Sequence, residues 1–107
     1  MGHLINLAAV HHQWLATALT EPKLTAGGYP ADEWVPAQQY QDYSWPELVD
    51  LWIGMNRFLL HVLHMIPEEK INMPCRLGIE DPITLLDLVE RYVRNCENIL
   101  GQILARL

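Results

Sequence analysis

Three stretches of the chain place apolar residues at the three- and four-residue steps of an α-helix. In the first, residues 2–20, Leu4, Leu7, Ala8, His11, Trp14, Leu15 and Ala18 fall on one stripe. It stops before EPKLTAGGYP, where Pro22, the Gly27-Gly28 pair and Pro30 oppose a continued helix. Residues 21–43 then read as a long crossover with a short helical turn started by Pro36. A second helix is predicted over 44–66. Ser44 is placed to cap its free amides, Pro46 is tolerated in its first turn, Glu47 completes a capping box and Pro67 ends it. Its apolar residues, among them Leu48, Leu51, Trp52, Met55, Phe58, Leu59, Val62 and Ile66, nearly encircle it, so more than one neighbour must cover it.

After the loop PEEKINMPCRLGIEDP, a third helix is predicted over 84–107, starting near Thr84 with Asp87 in the capping-box position. Leu85, Leu88, Val89, Tyr92, Cys96, Ile99, Ile103 and Leu107 form a seam of coiled-coil type along it. No segment carries a strand signal. The expected fold class is all-α: one domain over residues 1–107, a helical bundle of three long helices with a long crossover loop.

Composition narrows the classes of function. Half of the 107 residues are hydrophobic, enough for one core but near the size at which three helices leave apolar surface over, which favours self-association. A net charge of −6 with seven Lys and Arg argues against nucleic acid, whose binding rests on cations displacing counterions. MGHLINLAAV has no positive region before its apolar residues and makes a poor signal peptide. The run LWIGMNRFLLHVLHMI is interrupted by Asn56, Arg57, His61 and His64 and makes a poor membrane span. A cytoplasmic protein without a membrane partner is the expectation. In that setting Cys75, in a predicted loop, and Cys96, on the last helix, read as a reduced loop thiol and a small core residue.

GHLINLAAVHHQWL, GYPADEWVPAQQY, WPELVDLWIGMNRFLLHVLHMIP and PITLLDLVERYVRN, in that order, resemble the DinB-like (DinB/YfiT) superfamily of metal-binding four-helix bundles over essentially the whole chain. The resemblance implies a mononuclear site for zinc or nickel held by three histidines. The first falls on His3; the other two fall where this chain has Asn95 and Ile99. Asn95 offers a weak neutral oxygen and Ile99 nothing, so no metal cofactor is expected. The family also begins with a helix ahead of GHL, so the chain reads as a four-helix bundle lacking its first helix. The groove that helix would cover then calls for a second copy, a homodimer.

Other candidates are weaker. His61 and His64 are spaced to share an ion but lack a third ligand, with one expected toward solvent and the other at the bundle edge. His11 and His12 point in different directions, and His3 is two turns from His11. Cys75 beside Arg76 has no histidine near it in sequence to activate it. Asp32 and Glu33 are read as solvated carboxylates of the crossover, with Trp34 buried. Trp14, Trp34, Trp45, Trp52 and Tyr92 are read as core, pocket or interface residues. Two functions follow. One is a non-catalytic, homodimeric module that binds a small apolar ligand or a protein. The other is a metal-dependent enzyme of thiol-transferase or hydrolase type whose site is completed between subunits, resting on His3 alone.

Overall fold

The computed structural model describes residues 2–27, 31–78 and 81–105, with the backbone alone at 31 and 32. Among them are four α-helices: α1 (Gly2–Thr20), α2 (Ala31–Ala37), α3 (Trp45–Met65) and α4 (Leu85–Ala105). Single 3₁₀ turns lie at Tyr40–Asp42 and Glu68–Lys70, and three short strands at β1 (Leu24–Ala26), β2 (Pro74–Leu77) and β3 (Ile83–Thr84). The expected helix end at Leu107, Gly28 and Pro30 of the crossover, and the Asp32 side chain lie outside the described residues.

The predicted caps set the helix starts. The Glu47 amide donates to Ser44 Oγ at 3.5 Å, the Leu48 amide to the Ser44 carbonyl at 3.0 Å, and Pro46 sits in the first turn of α3. At α4 the box is reciprocal, with the Asp87 amide on Thr84 Oγ1 at 3.1 Å and the Thr84 amide on Asp87 Oδ2 at 3.4 Å. Each cap satisfies amides that have no partner inside the helix.

Helix α1 is central: α3 packs along it, α4 against it, and α2 near its start. Ala8, Leu15 and Ala18 meet Leu59 and Val62 of α3 and Leu85 and Leu88 of α4 in one buried cluster. At its beginning α1 carries Gly2, where a Cβ would fall 2.5 Å from the Tyr40 ring and 3.0 Å from Val35; glycine lets the crossover lie that close.

The sheet corrects the all-α expectation, although the fold stays mostly helical. Its order is β1-β2-β3, with β1 parallel to β2 (Leu24 opposite Cys75) and β2 antiparallel to β3 (Pro74 opposite Thr84). Strands of two to four residues are too short for alternation to stand out in sequence. Leu24, Met73 and Cys75 join the core through this layer. Cys75 is thus a fully buried strand residue and not a loop thiol, with Sγ 3.8 Å from the Met73 carbonyl.

Two more expectations change in the crossover. Pro36 lies in the last turn of the seven-residue α2 and does not start a helix. Trp34 is 44% exposed and not buried, because it is Val35, one residue and so about 100° further round the helix, that faces Gly2.

The connection after α3 ties the ends together. Lys70 Nζ donates to the carbonyls of Ala18 at 2.8 Å, Leu19 at 2.9 Å and Glu21 at 3.4 Å, placing a cation on the open carbonyl end of α1. The amides of Leu85 and Leu86 donate to Met73 and Ile71 carbonyls at 3.0 and 2.9 Å, fixing the start of α4. Replacing Lys70→Met is expected to lower stability by about 1–2 kcal/mol in urea denaturation, whereas the exposed Lys23→Met should stay within about 0.5 kcal/mol.

Candidate functional site

The positions matched to metal ligands carry a mixed set of side chains. His3 is exposed on α1, while Asn95 and Ile99 are half-buried one turn apart on α4. Together they supply one imidazole, one neutral amide and one hydrocarbon, a set that does not fit a three-histidine site. Among the described residues no three His, Cys, Asp or Glu side chains converge where an ion would be held. His61 and His64 are both exposed, so neither takes the bundle-edge place expected for one of them.

His11, in contrast, is inside. Its Nδ1 lies 2.8 Å from the Leu7 carbonyl and donates to it, leaving Nε2 with the lone pair. The ring stands edge-on to Trp14 at 4.8 Å and tilted against Tyr92 at 4.6 Å. Burial lowers its pKa, the Leu7 bond opposes this, and Arg91 adds repulsion.

Tyr92 joins α4 to α3. Its hydroxyl donates to Asn56 Oδ1 at 2.7 Å, and Asn56 Nδ2 donates to the Trp52 carbonyl at 2.8 Å. Burial pushes the Tyr92 phenol up, with Cys96 adding to the shift. The Cys96 thiol is also raised by burial, against a lowering from its bond to Tyr92. Cys75 is raised by burial alone, with no lowering from the neighbouring Arg76. Both thiols are held protonated, the opposite of what a nucleophile needs. The cavity beside His11 and Tyr92 is only about 20 Å³, room for one water at most.

The surface between α1 and α3 is different. It holds a groove of about 620 Å³ to which α1 contributes Ala8, Ala9, His12 and Gln13, and α3 contributes Asp50, Leu51, Gly54, Met55 and Phe58. At one end Leu51 also borders a second recess of about 410 Å³, walled by Tyr40 and Tyr43. The Phe58 ring lies 5.4 Å from that of His12 and 5.8 Å from that of His61. Near this end of α1, buried Asn6 accepts from Tyr40 Oη at 2.8 Å and Gln38 Nε2 at 3.1 Å, locking the crossover in place.

Of the aromatic residues singled out from sequence, Trp14 and Tyr92 meet at His11, Trp52 meets Asn56 in the same chain of bonds, and Trp34 lies on α2, where its carbonyl accepts from Gln38 Nε2. Phe58 and Gly54 were missed as site residues. The signal was present as the seven-residue spacing of Leu51, Phe58 and Met65, but the second helix is apolar all round and that row did not stand out.

Comparison of the chain with protein-family models, with characterised proteins and with solved structures finds no match.

A pH dependence follows from His11. Its folded pKa lies below the ordinary 6.5, so between the two values the unfolded chain binds the extra proton. The stability it confers is complete above about pH 6.5 and is lost as pH falls from there toward the folded pKa. The urea midpoint is expected to drop between pH 7.5 and 5.5, and to drop less in His11→Phe, which keeps a ring between Trp14 and Tyr92; equal slopes would refute this.

Proposed function

We propose that the chain is a DinB-like helical bundle that is metal-free and non-catalytic, and that it works by association as a homodimer through the open side of α1 and α3. The observation that carries this reading is the row Leu51, Phe58 and Met65, respectively 48%, 54% and 55% exposed beside an apolar groove. Covering a half-exposed side chain of this size is worth about 1 kcal/mol, and a contiguous row of them marks an interaction surface. The non-catalytic part rests on residue type: positions 95 and 99 carry Asn and Ile, and both cysteines are buried thiols. No helix of the described residues is long and apolar enough to cross a membrane.

A second reading, a small apolar ligand in the same groove, is favoured by its volume of about 620 Å³, within the usual range for small-molecule sites. The two differ in what light scattering reports. A homodimer gives a particle of twice the 12.3 kDa chain mass at micromolar concentration. A stable monomer that keeps an apolar molecule in native mass spectrometry would replace it with the ligand reading.

Elemental analysis of the same tag-free sample is expected to find no stoichiometric transition metal. Close to one equivalent per subunit or per dimer would overturn the metal-free part and return attention to a site shared between chains through His3.

A further inference from the structure

The outward side of α3 carries both halves of a self-complementary contact. Leu51, Gly54, Phe58, His61 and Met65 follow one another at steps of three and four, which is the seam of a two-helix coiled coil. Among the described residues this seam is only partly covered: Leu51, Phe58 and Met65 are about half exposed, and His61 is exposed. Phe58 is its one large projecting ring. One turn back is its one notch, Gly54, where a Cβ would meet nothing within 4 Å and the groove is continued by Ala8 and Ala9 of α1.

We infer that a second copy docks antiparallel along this seam, each Phe58 entering the partner's groove over Gly54. The argument rests on the homodimer proposed above and adds its geometry. A two-fold axis running between the two copies of α3 at right angles to them, level with the midpoint of positions 54 and 58, sets each residue of the pair opposite the other one in the partner, so one contact is made twice. A single copy thereby supplies both the knob and the hole, a fit that a chance partner or a small ligand would satisfy only on one side. The same axis sets Leu51 opposite the partner's His61. It also turns Asp50, on the groove lip, toward the end of the partner's α3 that carries His61 and His64, opposing a carboxylate acceptor to imidazole N–H donors.

Two substitutions test this by filling the notch and by removing the knob. Gly54→Leu has open space in the monomer and replaces the poorest helix former but proline, so it should raise the thermal midpoint measured at dilutions where the chain is monomeric. It should at the same time weaken self-association at least about tenfold by sedimentation velocity, and Phe58→Ala should do likewise. A stabilised fold with a weakened dimer is not what a merely folding-defective variant gives. Mixing Gly54→Cys with Phe58→Cys under oxidation should yield the mixed disulfide well above either symmetric one, both native cysteines being buried. If the wild-type chain is a monomer, the homodimer itself is refuted. If it is a dimer that neither Gly54→Leu nor Phe58→Ala weakens, or one that Phe58→Ala alone weakens, the homodimer stands and this reciprocal insertion is overturned.

Discussion

The burial of α1 is the constraint on which the rest of the chain depends. Leu4, Ile5, Ala8, Val10, Leu15 and Ala18 are all buried, and they do not lie on one stripe but around much of the helix. A helix of that kind needs cover from several directions. α3 and α4 supply two, the crossover a third through Tyr40 and Val35, and the small sheet closes the end through Leu24, Met73 and Cys75. Small residues make the arrangement possible: Gly2 and Ala8 let neighbours approach more closely than larger side chains would allow.

Polar groups then fix how the covers sit. The Tyr92 to Asn56 bond ties α4 to α3 across the side of α1, and Asn6 with Gln38 and Tyr40 ties the crossover to its start. Lys70 closes the far end by taking the last carbonyls of α1. Each is directional, whereas apolar contact alone would tolerate a slip. The fixing is incomplete, since Asn6 Nδ2 and Trp52 Nε1 are buried with no partner among the described residues. Such atoms cost stability, and they occur beside the contacts that define the register.

What could be read from the sequence follows the same division. The start and end of α3 and the start of α4 were legible to within a residue because Ser44 with Glu47 and Thr84 with Asp87 are local signals, as is Pro67. His11 and Cys96 were legible as interior residues from helical spacing. The sheet was not, because Leu24, Cys75 and Ile83 become strand residues only when the two ends of the bundle bring them together. Nor was the exposure of Trp34, which depends on Val35 being the residue that meets α1. The candidate site was least legible. The residue types at 95 and 99 could be read directly, but the exposure of Leu51, Phe58 and Met65 on α3 could not.

The reason lies in α3. Leu48, Trp52, Met55, Leu59 and Val62 form one heptad-spaced row turned toward the core, and Leu51, Gly54, Phe58, His61 and Met65 form a second. Three residues of offset put the rows only about 60° apart around the helix. In sequence they merge into a helix that is simply apolar, and only packing separates the row that α1 and α4 cover from the row that stays open. Two adjacent rows require two neighbours on adjoining sides, the geometry of a helix within a four-helix layer. Among the described residues α1 and α4 cover the first row and leave Leu51, Phe58 and Met65 of the second about half exposed, so the position of the neighbours and not the apolar pattern decides which row is buried.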